Sequence, residues 1–211
     1  MSKGKQAEES EHSEMRSHRD KDATRQRILD AAEEVFAEKG YHGAVVDDIV
    51  RAADMSKGGF YFHFPNKQGI FLALMEALTP RLINAAERAI EQEKDPIAKL
   101  DAALRTVLDT FSRHRRLSKI LLIEAVGLGH GFDEKLMEVR AQVAIVIMKY
   151  LDQAVAQGAI AAIDTEITAF AWLGAINEIV IRWLITGKPA KIEDVLPELR
   201  ALLLRSVGIH M

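Results

Sequence analysis

The chain has 211 residues, no cysteine and a formal net charge of −3. The missing cysteine excludes disulfides, thiolate zinc sites and cysteine nucleophiles, which fits a reducing cytoplasm. The slightly acidic balance offers no global attraction for nucleic acid, so any DNA contact has to come from a local arrangement.

Ala, Leu, Ile and Glu dominate and proline is scarce, which favours helix throughout. Charges interrupt each apolar run before it reaches the length of a membrane span, so no membrane partner is expected. The N-terminus lacks the apolar core of a secretory signal, which places the chain in the cytoplasm.

Residues 1–22 are polar and mixed in charge, a composition that predicts a disordered tail. Thr24 is suited to cap a first helix, in which Ile28, Ala31, Ala32, Val35 and Phe36 recur at helical spacing until Gly40. A short second helix covers 46–53. Ser56 is placed to cap a third over 57–64, which Pro65 ends. Asn66 opens a long fourth helix to about residue 93, with a kink expected at Pro80. Asp95 and Pro96 open a fifth, to about His114. A sixth covers 116–126, and the glycines of GLGHG then break the pattern. The seventh runs over 133–157, the eighth from Asp164 to Gly187, and the ninth over 192–207. No stretch alternates like a strand between turns. The fold class is therefore all-α: a three-helix helix-turn-helix unit over 23–67 and a larger helical domain over 68–211, about nine helices in all.

Two short helices joined by a tight turn, behind a longer one, suit a helix-turn-helix whose second member enters the major groove. Ser56, Lys57, Gly58 and Gly59 open that member with small groups and one cation, allowing close approach to DNA and attraction of phosphate. Phe60 and Phe64 lie one turn apart and should face inward. Tyr61 and His63 point elsewhere and carry phosphate donors. Lys67, in the first turn of the fourth helix, opposes the helix dipole, which a phosphate partner would offset. Arg25 can grip the backbone from the first helix.

The string VDDIVRAADMSKGGFYFHFPNKQGIF, residues 46–71, resembles the DNA-binding region of the TetR family of regulators. Ile49, Ala52, Ala53, Ser56, Lys57, Gly58, Phe60, Tyr61, His63, Phe64, Asn66 and Lys67 carry the resemblance, which is specific over 24–75 and one of layout beyond. It implies a DNA-binding regulator, mostly a repressor in that family, dimerising through its last two helices. Three positions depart from the pattern. Asp54 stands at a turn position usually glycine and tolerates a left-handed backbone. Val45 lacks the usual capping hydroxyl. Val50 is larger than the usual residue there.

The eighth helix is apolar on nearly every face, so it packs on its own core and on something else. Trp172, Ile176, Ile179 and Trp183 form one stripe, and Leu199 and Leu203 with their neighbours form another on the ninth helix; both are expected at a homodimer interface. Such a dimer would place two recognition helices on a palindromic duplex. Phe111, Glu124, Arg140 and Asn177 are candidates for a small-molecule effector, each also explicable as core or as a solvated group. The string GAINEIVIRW loosely resembles family members that sense long-chain acyl-CoA. No cofactor or metal site is expected: His114 and His130 have no ligand partner at helical spacing, and SKGG lacks the glycine frame of a phosphate loop. An enzyme is disfavoured for want of a nucleophile elbow or EXXH spacing. A helical dimerisation module without DNA binding is the other alternative, favoured slightly by Val45 and by Asp47, Asp48 and Asp54 around the motif.

Overall fold

A single long helix, α1 (Ser2–Gly43), begins the chain in the computed structural model, which describes the backbone of residues 2–209 and side chains from residue 19. The disordered tail expected over 1–22 is thus corrected from Ser2 onward; Met1 lies outside the described residues. Glu, Lys, Gln, Arg and Ala, all strong helix formers, make up about half of this stretch, so low hydrophobicity does not prevent helix here. Thr24, expected as the cap, instead lies inside α1, its hydroxyl donating to the Asp20 carbonyl at 2.8 Å. Gly40 breaks the helix at φ 74°, ψ 168°, a backbone region open essentially to glycine alone.

Then follow α2 (Val46–Ala52) and α3 (Lys57–His63), joined by a turn in which Asp54 takes φ 49° as expected. Next is α4 (Lys67–Glu91), whose first turn is capped by Asn66 through the Gly69 N–H at 2.7 Å. Pro80 lies inside this continuous helix.

The chain divides into two compact units, residues 1–74 and 75–211. The first unit reaches past the expected limit at residue 67 because Ile70, Phe71 and Leu74 of α4 are buried in it. Its core is aromatic. Phe71 meets Phe36 edge-on at 5.2 Å and Tyr41 at 5.0 Å. Ile28, Ala32, Ile49 and Phe60 are wholly buried around them. Each large side chain so buried stabilises by about 1.5–3 kcal/mol.

The second unit holds the rest of α4, then α5 (Pro96–Arg113) with Asp95 capping it through Ala98 N–H at 2.9 Å. After α6 (Arg115–Lys119) the chain widens into a π-helical turn, Ile120–Glu124, inside the span expected as one helix. Gly127 and Gly129 take positive φ in the break that follows. The remaining helices are α7 (His130–Ala156), α8 (Thr165–Thr186) and α9 (Leu196–Ser206), the last preceded by a 3-10 turn, Ile192–Val195. Asp164 caps α8 and a left-handed Gly187 ends it, as expected.

This unit's core runs from Leu104 and Leu108 through Ala144, Leu151 and the buried side of α8 to Leu196, Leu199 and Leu203. The Trp172 indole donates to Ser206 Oγ at 2.9 Å, pinning α8 to α9. Arg200 reaches Asp101 at 3.2 Å, pinning α9 to α5. By length and composition alone, α4 and α8 are apolar enough to cross a membrane, which corrects the expectation that charges prevent it. In α8 the charges Glu166, Glu178 and Arg182 are spaced widely enough to leave such a window. Both helices contribute buried side chains to these cores.

Candidate nucleic-acid interface

The recognition element, α3, is held by its own sequence. Ser56 Oγ accepts from Gly59 N–H at 3.1 Å, the expected cap. Phe60 and Phe64 point inward, as their one-turn spacing requires, and are nearly inaccessible. The opposite face is therefore outward. Tyr61 is 52% exposed and Phe62 71% exposed. Phe62 is the larger surprise. An open aromatic ring on a helix is costly to leave in water and is a ready apolar contact for a thymine methyl group. Its position was readable in principle, since a residue two places from both Phe60 and Phe64 must lie across the helix from them. His63 is half-buried, edge-on to Phe62 at 5.2 Å.

The two glycines differ in role. A Cβ at Gly58 would meet nothing within 4 Å, so that face stays open to an approaching backbone. At Gly59 it would stand 3.0 Å from Met55 Cε and 3.4 Å from Ser56 Oγ. Gly59 therefore serves the turn and the cap.

The cations are arranged less simply than the sequence suggested. Lys57 Nζ donates to Asp47 Oδ2 at 2.8 Å, and this hydrogen bond holds the ammonium above its ordinary pKa. Lys67, expected to reach phosphate, turns inward. Its ammonium donates to the carbonyls of Tyr41 at 2.8 Å and Ala44 at 3.1 Å, and lies 4.5 Å from the Tyr41 ring centre. Those carbonyls stand where α1 ends, so Lys67 is a clasp at its C-terminus. Arg25 is exposed, with its guanidinium 5.2 Å over the Phe64 ring. Lys21, unassigned from sequence, lies 5.9 Å over Phe62.

Helix α2 is held without the missing hydroxyl. Val45 is exposed and caps nothing, but Asp48 accepts from the Val45 N–H at 3.4 Å. Asp48 also pairs with Lys39 at 2.8 Å and Arg51 at 3.6 Å. The Lys39 ammonium chiefly holds its carboxyl below the usual range. Val50 is accommodated in the core.

In the second unit, Phe111, Glu124 and Asn177 are half-buried, whereas Arg140 is exposed on α7. Arg140 thus stands on the solvated side of its helix; its apolar neighbours Val139 and Val143 are the ones turned partly inward. Of the residues expected at a dimer interface, Trp172, Trp183, Leu199 and Leu203 are largely buried within their own chain. Ile176 and Ile179 are half-buried. The open side of α8 carries Ile167, Phe170 and Ile185, and α9 adds Leu202, each at least 45% exposed. Trp183 has the Arg115 guanidinium 4.4 Å over its ring, and its buried indole N–H finds no acceptor among the described residues.

A family profile for bacterial regulatory proteins of the tetR family matches residues 28–74. A second, for the tetracyclin repressor-like C-terminal domain, matches residues 93–207. The chain is 33% identical over 104 residues to the HTH-type transcriptional activator FasR of Mycolicibacterium smegmatis, covering 49% of this chain and 47% of that one. It thus spans about half of that relative. Among solved structures, the fatty acid degradation regulator FadR of Bacillus halodurans superposes with a TM-score of 0.79 at 22% identity, covering 89% of this chain and 97% of that one. FadR of Bacillus subtilis, solved with stearoyl-CoA, gives 0.77 at 24% identity, covering 88% and 99%. At these identities the superpositions establish a shared fold.

Proposed function

The chain belongs to the tetR family of bacterial regulatory proteins, helix-turn-helix transcription regulators rather than enzymes, and on that premise we propose that it is a cytoplasmic, homodimeric repressor released by a largely apolar effector. The observation that carries the DNA-binding half is the outward face of α3: an Oγ-capped helix start, an open Gly58, and Tyr61 and Phe62 exposed together. In this reading Ser56, Lys57, Gly58, Tyr61 and His63 meet the duplex, with Phe62 supplying apolar base-edge contact and Arg25 a backbone contact.

The dimer forms through the open side of α8 and α9, around Ile167, Phe170, Ile185 and Leu202. Exposed isoleucines and a phenylalanine on one helix face are a liability in a monomer and an asset between two copies.

The effector is a long-chain acyl-CoA or another ligand with an extended apolar portion. The stearoyl-CoA bound to the B. subtilis FadR supports this choice, as do the half-buried Phe111, Leu122, Ile123 and Met148 beside the core. Glu124 and Asn177 supply polar contacts, and the exposed Arg140 a cation for an anionic head group. Release of DNA requires that the effector bind the two states with different affinity.

Selection of bound duplexes from a random pool, with the full chain near physiological salt, tests the reading. A palindrome with half-sites about 34 Å apart is expected, followed by release on adding stearoyl-CoA. No enrichment at any salt would remove DNA binding. Enrichment without release would remove only the effector class.

A further inference from the structure

Two of the cations that the sequence placed on DNA are already engaged in the protein: Lys57 by Asp47, and Lys67 by two carbonyls. Arg25 is not engaged in that way, and Lys21, a cation the sequence did not place on DNA, stands beside it. Because α1 runs unbroken past Thr24, Lys21 and Arg25 fall one turn apart on one helix face. Both are exposed. Each cation lies over an aromatic ring of the recognition segment, Lys21 over Phe62 and Arg25 over Phe64. A ring face orients a cation but accepts none of its classical hydrogen bonds, so these N–H groups stay available to an anion. The neighbouring acids Asp20 and Asp22 stand about 100° to either side of Lys21 around the helix, with Asp22 about 60° from Arg25.

We infer that this turn of α1, which precedes the family match at residue 28, is a second DNA-contacting strip: Lys21 and Arg25 grip duplex phosphates beside the recognition helix. The inference rests on the DNA-binding reading above and extends it to a segment that the family match leaves out. The occupant is a phosphodiester backbone, because two adjacent cations with open donors, flanking an exposed aromatic, match a groove edge.

The test is salt-dependent binding of the full chain to a mixed-sequence duplex, read as the slope of log affinity against log salt. Lys21→Gln and Arg25→Gln remove charge while keeping helix propensity, and circular dichroism checks the fold. Each is expected to make the slope shallower by about 0.9, and the double variant by about 1.8. Lys21→Arg should keep the wild-type slope, as should Lys94→Ala, an exposed lysine between α4 and α5. A wild-type slope in the folded double variant overturns the proposal and leaves DNA binding by α3 intact. Absence of duplex binding by the wild type overturns both.

Discussion

The ammonium of Lys67 donates to the carbonyl oxygen of Tyr41 at 2.8 Å while lying over that same tyrosine's ring. One cation therefore closes the end of α1 and braces the aromatic core beneath it. Lys67→Met should destabilise the protein by about 1.5–3 kcal/mol, the usual worth of hydrogen bonds to a charged group. The melting temperature should fall by about 2–4 °C per kcal/mol. The salt slope of duplex binding should stay unchanged, since the lysine is turned away from phosphate. A shallower slope with unaltered melting would return Lys67 to the DNA.

Asp47 competes with phosphate for Lys57. Both side chains are more than half exposed, so the pair adds little to stability. Asp47→Asn should tighten duplex binding by at most about fivefold and increase its salt dependence, with Lys57→Ala abolishing the gain. Weaker binding by Asp47→Asn would mean that the carboxylate orients Lys57 instead.

Core and interface separate on α8 and α9. Ile185→Glu changes an exposed side chain and should leave a folded monomer in sedimentation. Leu199→Ala, deep in the core, should cost about 2–5 kcal/mol and lower the melting temperature at any protein concentration. An unchanged mass for Ile185→Glu would move the interface off this face.

Acid should loosen the DNA-binding unit through Asp48. Its folded pKa is depressed, chiefly by Lys39, so its contribution is present above the unfolded carboxylate value. It is lost as pH falls through the lower folded value. Asp48→Asn should therefore be less stable than wild type near neutrality, and the two should converge below the ordinary carboxylate range. Parallel curves across that range would show that Asp48 acts through shape alone.

Local chemistry was legible in the sequence because its causes lie within a few residues. Ser56, Asn66, Asp95 and Asp164 cap helices, Asp54 turns left-handed, and Gly187 ends α8, each by contacts with its near neighbours. The contacts of Lys67 were not legible because its partners lie more than twenty residues upstream and no period links them. The helical character of 2–22 was missed because polarity describes burial, whereas propensity decides an exposed helix. On α8, apolar residues all round leave period 3.6 silent about which side faces inward. Both tryptophans turn inward, Trp183 almost completely.

The chain's two tryptophans both stand on α8, yet their indoles live in different surroundings. Trp172 is hydrogen-bonded to Ser206, while Trp183 is nearly sealed from solvent, carries an arginine on its face and has an indole N–H without an acceptor among the described residues. Their emission is consequently a built-in, two-channel reporter. Replacing Trp172 by phenylalanine leaves a single tryptophan, Trp183, whose colour and lifetime register any acceptor that reaches that indole, without a label.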